Sequence, residues 1–266
     1  MRIATWNVNS LAVRMPRVVE WVDANRPDVL CLQETKLADA QFPREALSEI
    51  GYQVATHGSG QWNGVAIVSS LELAHVSRGF PGEPGNPDLE ARAIAATCGG
   101  VRVWSLYVPN GRTVDSPHFI YKLAWLRALR EALAVEAESA SGLVVCGDFN
   151  VAPSDSDVWD PAAFVGSTHV TDAERSAVSA LVDLGLVDLH PRALKGEPFT
   201  YWDYRAGNFH KGMGMRIDLV LMSARLAHAV RDAYIDRDTR KGKLPSDHAA
   251  VVVDVDPAGV GAAIAQ

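Results

Sequence analysis

Short apolar runs rich in Val, Ile and Leu recur along the chain and predict β-strands. Most lack a clean polar alternation, and in the run at 101–108 both alternate faces carry large apolar side chains. Strands of this kind are covered on both sides, so the pattern favours sheets that lie between other layers. The runs lie at residues 3–6, 29–32, 65–68, 93–97, 101–108, 143–146, 217–222 and 250–253.

Helical patterns separate these strands. The clearest has Pro117 at the first helical position, followed by leucines at three- and four-residue spacing. A second begins at the capping box formed by Thr171 and Glu174. Further helices are expected at about 14–23 and 42–50. Because tight glycine turns such as the one at 99–100 favour antiparallel hairpins, we predict an α/β fold with two packed, mainly antiparallel β-sheets flanked by helices.

The composition is that of a packed globular protein. The chain has 266 residues, of which 48% are hydrophobic and 21% charged, and this excludes a disordered or fibrous protein. We expect one domain over 1–256 and a flexible C-terminal tail at 257–266, which is rich in Gly and Ala. Since no apolar stretch approaches the ~20 residues of a membrane span and no signal peptide is evident, we expect a cytoplasmic monomer with no membrane partner.

The charge balance restricts the possible partners. Lys and Arg total 25 against 32 for Asp and Glu, which gives a net charge of -7. A protein that coats nucleic acid needs a basic surface, so this class is disfavoured, whereas an enzyme with clustered carboxylates is not. The three cysteines, at 31, 98 and 146, are interpreted as reduced and buried rather than as disulfides, zinc ligands or a nucleophile.

Polar residues stand where several apolar strands end. Asn7 follows the first run, Glu34 follows the second, and Asp148 and Asn150 follow the run at 143–146. Carboxylate and amide oxygens are the ligands that a hard cation such as Mg²⁺ prefers, with room left for water and a substrate phosphate. Taken singly, these residues also fit simple turns, and the 147–150 segment fits an Asx turn.

Asp218 stands inside the apolar run at 217–222, where an unpaired carboxylate would cost several kcal/mol. The best candidate for its partner is His248, which precedes the last apolar run. A carboxylate beside an imidazole fixes its tautomer and favours its charged form. The alternative for His248 is a satisfied core histidine, and the other seven histidines are interpreted as surface or local structural residues.

Six short motifs stand in order along the chain, at residues 5–9, 32–36, 107–112, 147–150, 216–218 and 246–248. Together they resemble the motifs of the exonuclease III family of abasic-site DNA-repair endonucleases, over roughly residues 1 to 255. The resemblance implies a four-layer sandwich of two β-sheets between layers of helices, with the site at one edge. It also implies that 1–256 is a catalytic domain of the endonuclease/exonuclease/phosphatase type.

The activity that the resemblance implies is that of a metal-dependent DNA-repair phosphodiesterase. Such an enzyme cleaves the backbone at abasic sites, acts as a 3′-to-5′ exonuclease and clears blocked 3′ ends. The implied partner is double-stranded DNA with abasic sites or blocked 3′ ends. The implied cofactor is Mg²⁺, with Mn²⁺ as an alternative.

The resemblance assigns roles to single residues. Asp148 would orient or deprotonate the attacking water, and Asn150 would position that water or stabilise the transition state. Tyr107 would bind the scissile phosphate or assist the leaving oxygen, and His248, oriented by Asp218, would hold a phosphate oxygen as a cation. No side-chain nucleophile is needed for such a reaction. The implied metal ligands are Glu34 as the main ligand, with Asn7, Asp148, Asn150 and Asp247.

DNA binding is assigned to two stretches and to one further position. Asn110 and Arg112 lie in the loop after the 101–108 run and are phosphate contacts or plain turn residues. The stretch 201–211 mixes aromatic and basic groups, which stack on bases and neutralise phosphates, or it is an ordinary surface loop. Its candidates are Tyr201, Trp202, Arg205 and Lys211. Met215 stands where many family members have Trp, at the implied abasic-sugar pocket.

Two other classes of protein remain as alternatives. The first comprises other phosphodiesterases and phosphatases of the same fold, namely phosphoinositide phosphatases, sphingomyelinases and deoxyribonuclease I-like nucleases. These typically place a second catalytic histidine where this chain has Tyr107. The second is a non-catalytic interaction protein. Such a protein would retain the following residues together only by chance: Glu34, Asp148, Asn150, Asp218 and His248.

Overall fold

The computed structural model describes residues 1–139 and 142–264, and these form thirteen strands and seven α-helices. The strands are β1 (Arg2–Asn7), β2 (Val29–Gln33), β3 (Gln53–His57), β4 (Val65–Ser69), β5 (Leu73–Arg78), β6 (Ala93–Cys98), β7 (Val101–Tyr107), β8 (Leu143–Asp148), β9 (Leu186–Asp188), β10 (Arg192–Ala193), β11 (Asp218–Ser223), β12 (Val230–Asp236) and β13 (Ala250–Val255). The helices are α1 (Leu11–Asn25), α2 (Arg44–Ser48), α3 (Pro117–Ser139), α4 (Asp172–Val182), α5 (Asn208–Lys211), α6 (Ala224–His228) and α7 (Pro257–Ile264).

The strands form two sheets. One has seven strands in the order β10-β12-β13-β1-β2-β4-β3, and the other has six in the order β5-β6-β7-β8-β11-β9. Most neighbouring strands are antiparallel, while the pairs β1/β2, β7/β8 and β10/β12 are parallel. The predicted pair of mainly antiparallel sheets is therefore confirmed, with the addition that each sheet is mixed.

Three apolar clusters hold four layers together. The sheets face each other through residues such as Val103 and Val251, and the three cysteines lie free and buried in this layer, as expected. Helices α1 and α2 cover the outer face of the seven-stranded sheet, with Val18 and other apolar residues buried beneath them. Helices α3 and α4 cover the six-stranded sheet through Leu129 and Leu181. This is the implied four-layer sandwich.

The predicted elements all correspond to elements of the structure, but several strands escaped prediction. Each predicted apolar run coincides with or overlaps a strand, and each predicted helix overlaps a helix. The missed strands are β3, β5, β9, β10 and β12, and β3, β5, β9 and β10 are the edge strands of the two sheets. Edge strands carry polar side chains, so their hydrophobic signal is weak. Within residues 1–139 and 142–264, no helix is long and apolar enough to cross a membrane.

Strand direction brings polar side chains to one edge of the sandwich. Strands β1, β7 and β8 end at Asn7, Tyr107 and Asp148. In the pairing register, Asp148 lies beside Tyr107 on one side and Asp218 on the other. Because β11 begins at Asp218 and runs antiparallel to β8, its first residue meets the last residue of β8. The ends of both sheets therefore converge on one small volume.

The segment after β13 forms helix α7, where the sequence predicted only a tail. Val260 is 9% exposed and belongs to the cluster between the sheets. Gly259 lies so close to Ala229 that a Cβ at this glycine would come within 2.2 Å of the Ala229 Cβ. The sequence does not predict a helix here because Gly and Ala give little amphipathic pattern. The helix packs instead through close contact of its backbone at Gly259 with Ala229. The flexibility predicted for 257–266 stays a prediction.

The packing of α7 can be tested by adding one methyl group at each of two glycines. Gly259→Ala should lower the free energy of unfolding by about 1–3 kcal/mol, because the methyl group overlaps Ala229. Gly261→Ala has open space around it and should raise that free energy by about 0.5–1 kcal/mol through helix propensity. Urea unfolding measures both, and equal effects of the two substitutions would show that α7 does not dock in this way.

Candidate active site

A buried histidine lies between two aspartates at the converging strand ends. His248 Nδ1 is 2.8 Å from Asp218 Oδ2, and His248 Nε2 is 3.8 Å from Asp148 Oδ2. The three residues are at most 3% exposed. Thr200 Oγ1 accepts hydrogen bonds from the backbone amides of Ile217 and Asp218, which fixes the start of β11. The predicted pairing of Asp218 with His248 is present in the structure.

The charges of this array are set by burial and by the groups facing each other. Burial alone would lower the pKa of His248, but the carboxylates of Asp218 and Asp148 outweigh it and raise that pKa to about 10. Burial raises the pKa of Asp148 to about 7, with His248 opposing the rise and Asp218 and Glu34 adding to it. At neutral pH the array therefore holds a cationic imidazole, and Asp148 titrates close to neutrality.

Glu34 joins the array from the end of β2. Its backbone is left-handed, with φ 52°, which turns the chain directly after the strand. Asn7 Nδ2 donates to Glu34 Oε1 and to Asp148 Oδ2, both at 2.9 Å, so one amide group bridges the two carboxylates. Lys36 Nζ lies 2.8 Å from Glu34 Oε2. Burial would raise the pKa of Glu34, but Lys36 and Asn7 bring it below its usual value.

A glycine sets the spacing between two of the predicted catalytic residues. Gly147, directly before Asp148, has φ 141°, and a Cβ at this position would lie 2.0 Å from the carbonyl oxygen of Leu106. In the register, Gly147 is opposite Leu106, and Asp148 is opposite Tyr107. Strands β7 and β8 can approach this closely only because position 147 has no side chain.

The acidic cluster could hold a metal ion. One ligand atom each from Glu34, Asp148 and His248 lies within 4.8 Å of the others. Two carboxylates in a water-accessible cleft provide the oxygen donors that a hard divalent cation prefers. His248 is the poorer donor of the three, because its cationic form has no free lone pair. The carboxylates of Glu34 and Asp148 are therefore the donors that fit.

The oxygen atoms of the other predicted metal ligands, Asn7, Asn150 and Asp247, accept hydrogen bonds from neighbouring asparagines. Asn7 presents its amide nitrogen to the carboxylates, and its Oδ1 accepts from the Asn9 backbone amide at 3.0 Å. Asn150 Oδ1 accepts from Asn110 Nδ2 at 3.0 Å. Asp247 lines the same cleft, and its Oδ1 accepts from Asn9 Nδ2. In this geometry Asn7 and Asn150 space and orient the cluster, and their role as metal ligands stays a prediction.

A cleft of about 410 Å³ opens above the array. Tyr107, Asn110 and Arg112 line it on the side of β7. Tyr201 and Arg205 of the second stretch line it as well, together with Met215, and the structure therefore brings these three residues to the array. Lys211 is exposed on α5 and is not among the described residues that line this cleft.

Trp202 is placed where it cannot stack on a base, so this part of the prediction is wrong. The side chain is 1% exposed and belongs to the cluster between the sheets. Its ring packs edge-on against Phe209, with a centroid distance of 5.2 Å, and beneath the guanidinium of Arg240. A mixed aromatic and basic pattern does not distinguish a ring that faces substrate from one that anchors the loop.

Three residues at the cleft were missed from the sequence. His169 lines it, and burial together with the nearby Lys122 lowers the pKa of this histidine to about 4. The sequence predicts only a surface or local structural role for this histidine. Lys122 on α3 and Glu174 on α4 lie behind the cleft and are fully buried. Only the capping box at Glu174 was visible in the sequence, because helix positions that face a distant loop have no local signature.

Comparison with known proteins identifies the class to which this fold and site belong. A model of the Endonuclease/Exonuclease/phosphatase family matches residues 4–248, and the chain belongs to this family.

Particular relatives share nearly the whole chain. Exodeoxyribonuclease III of Haemophilus influenzae is 32% identical, over 94% of this chain and 98% of that protein. A 3′ phosphatase from Neisseria, solved with a product DNA hairpin, is 42% identical with a TM-score of 0.92, over 96% of this chain and 99% of that one. An AP endonuclease from Archaeoglobus fulgidus is 38% identical with a TM-score of 0.89, with the same coverage. The resemblance drawn from the six motifs is confirmed.

The pairing of His248 with Asp218 predicts a pH-dependent contribution to stability. Because the folded pKa of about 10 lies above the usual value of about 6.5, the contribution is complete below about pH 6.5 and is lost as the pH rises through 10. The excess unfolding free energy of the wild type over His248→Gln should fall from pH 7 to 9, by at most about 1.4 kcal/mol per pH unit.

This dependence is measured by urea unfolding of both proteins in chelator at pH 7, 8 and 9. His75→Gln, at an exposed position, serves as the control and should show no such trend. A constant difference between wild type and His248→Gln would mean that the imidazole is neutral in the folded protein throughout this range.

Proposed function

We propose that this protein hydrolyses phosphate esters of double-stranded DNA, at abasic sites and at 3′ ends. Family membership together with the exodeoxyribonuclease relatives indicates a hydrolytic DNA nuclease. The observation that carries the finer proposal is the buried array of Asp148, His248 and Asp218 at the base of a cleft lined by Arg112 and Arg205. The relatives act as an exodeoxyribonuclease, a 3′ phosphatase and an AP endonuclease, which are three forms of one hydrolytic reaction.

The residues of the cleft supply the groups that attack by water requires. Asp148, whose carboxylate lies beside His248 Nε2 and accepts from the Asn150 backbone amide, accepts a proton from the attacking water. His248, kept cationic by Asp218, donates a hydrogen bond to a phosphoryl oxygen, where negative charge develops. Burial raises the pKa of Tyr107, so its phenol stays protonated and can donate to the phosphate. No covalent intermediate with the protein is required.

DNA binding in an acidic protein depends on local groups. The net charge of -7 gives no general attraction for the phosphate backbone. Arg112 and Arg205 line the cleft, with Arg205 paired to Asp203 at 2.5 Å, and Tyr201 contributes an aromatic ring. The Tyr201 ring also packs against His248, with ring centroids 4.9 Å apart, so one side chain links the DNA-binding wall to the array. Such a site recognises a short stretch of backbone rather than a long duplex.

The substrate proposal is tested with three duplexes that carry an internal abasic site, a 3′-phosphate or an unmodified recessed 3′ end. The wild type should hydrolyse them in Mg²⁺. Asp148→Asn retains size and hydrogen bonding but removes the base, so single-turnover cleavage should fall by at least ~10²-fold while DNA binding persists. Asp183→Asn, at an exposed aspartate on another surface, should leave cleavage unchanged.

Each outcome has a definite meaning. Hydrolysis of none of the three duplexes, in Mg²⁺ or in Mn²⁺, would overturn the proposed function. Cleavage by Asp148→Asn at the wild-type rate would remove Asp148 from the role of base. Loss of DNA binding together with cleavage would instead assign Asp148 to structure or metal retention.

We also propose Mg²⁺ as the bound ion, with Mn²⁺ as a substitute, held by Glu34 and Asp148. When bound, a divalent cation would neutralise charge on the phosphoryl oxygens. The Glu34 carboxylate is ionised at neutral pH, since its pKa lies below the usual value. Lys36 and Asn7 hold this carboxylate beside Asp148.

Metal dependence is tested by removal and return of the ion. Excess chelator followed by dialysis should abolish cleavage, and added Mg²⁺ should restore it. Glu34→Gln should raise the Mg²⁺ concentration that gives half-maximal activity by at least ~10-fold, because one of the two charged donors is lost. Glu20→Gln, at an exposed glutamate on α1, is the matched control and should show no change. Full activity in chelator would refute a metal requirement.

A further inference from the structure

An ion pair lies fully buried behind the cleft, outside the array described above. Lys122 Nζ on α3 is 2.5 Å from Glu174 Oε1 on α4, and both side chains have no exposure. Removing two charges from water costs several kcal/mol per ion, and well-packed apolar residues often hold two helices together as firmly. The pair is therefore poorly explained by helix packing alone.

The remaining hydrogen bonds of Lys122 go to the loops that form the cleft. Its Nζ donates to the carbonyl oxygen of Asn150 at 2.6 Å and to that of Asn110 at 3.3 Å. Asn150 has a left-handed backbone, with φ 50°. Its side chain is bound on both sides as well, because Nδ2 donates to the Val108 carbonyl and Oδ1 accepts from Asn110. The Lys122 ammonium group thus binds both the loop that contains Asn110 and the loop that contains Asn150, on the side away from the cleft.

Glu174 fastens a third segment of the cleft. Its Oε1 accepts from Thr168 Oγ1 at 2.7 Å and from the backbone amide of His169 at 2.9 Å. The ring of His169 contacts the same carbonyl oxygen that Lys122 binds, since its Nδ1 lies 2.5 Å from the Asn150 carbonyl oxygen. The Asn150 carbonyl is therefore held by Lys122 directly and by Glu174 through His169.

The position of Asn150 bears on the proposed catalytic base. The backbone amide of Asn150 donates to Asp148 Oδ1 at 2.9 Å, so a shift of this backbone moves the hydrogen-bond donor of the carboxylate. We infer that Lys122 and Glu174 are positioning residues, which fix the Asn150 corner and through it the orientation of Asp148. The inference rests on the proposed function. A displacement of about 1 Å at a reacting group can cost ~10²-fold in rate.

The test separates charge compensation from positioning. Lys122→Met leaves the Glu174 carboxylate buried without its partner, so both the melting temperature and kcat should fall. The double variant Lys122→Met/Glu174→Gln removes both charges, and Gln still accepts from Thr168. Its melting temperature should recover towards that of the wild type, whereas kcat should stay at least ~10-fold low with KM for DNA unchanged, because the Asn150 carbonyl has lost its ammonium donor.

Two further proteins complete the comparison. Arg102→Met/Glu136→Gln removes an ion pair between β7 and the same helix α3, at the opposite end of β7 from Tyr107, and should lower stability without changing kcat. Lys122→Arg keeps the charge but replaces the compact ammonium group by a larger, planar guanidinium group. It retains the charge of the buried pair if Lys122→Met does not fold, and its kcat should also fall.

A readout without turnover keeps the inference separate from the proposed function. In ¹H–¹⁵N spectra the backbone amide of Asn150 should shift in the Lys122/Glu174 double variant and stay in place in the Arg102/Glu136 control. Recovery of both melting temperature and kcat in the double variant, or an unchanged Asn150 amide, would overturn the positioning role. A wild type that hydrolyses no DNA ester would overturn the proposed function, while the amide shift would still decide whether the pair fixes this corner.

Discussion

A carboxylate taken out of water must be matched by a nearby positive charge or by hydrogen bonds, and this protein buries several at one edge of its sandwich. Asp148, Asp218 and Glu34 lie close enough to repel one another. His248 stands between the two aspartates, Lys36 lies against Glu34, and the Asn7 amide bridges Glu34 and Asp148. The neutralisation is partial. Burial, with a smaller addition from the charges of Asp218 and Glu34, raises the pKa of Asp148 to about 7, so this carboxylate can take up a proton near neutral pH.

The same demand for compensation explains why both sheets are needed. Asp148 and Asp218 come from neighbouring strands of the six-stranded sheet, while Asn7 and Glu34 come from the seven-stranded sheet. His248 precedes β13 of that second sheet and crosses to Asp218 of the first. The sheets therefore share one set of charges at their common edge, in addition to the apolar layer between them. Chemistry and sheet packing depend on the same contacts.

Much of the fold and the centre of the site could be predicted from the sequence. Buried strands show as unbroken apolar runs, so a polar residue inside or after such a run, such as Asp218 or Asp148, is conspicuous. Lys122 and Glu174 show no such contrast, because a charged residue on a helix usually faces solvent. Trp202 lies in a loop-like stretch where aromatic and basic residues suit either exposure or burial. At Gly259, close backbone contact with Ala229 decides the structure, and no local pattern reports it.

Gly147 has a consequence for how the sequence of this protein can vary. With a positive φ and a neighbouring carbonyl oxygen where a Cβ would stand, the position admits no L-amino acid with a side chain unless β7 and β8 move apart. The backbone spacing between Tyr107 and Asp148 thus depends on the absence of a side chain at position 147. At most positions a residue can be replaced by one of similar size, but at position 147 even the smallest substitution adds a Cβ for which there is no room. The backbone geometry therefore restricts this position to glycine, independently of the chemistry of the neighbouring side chains.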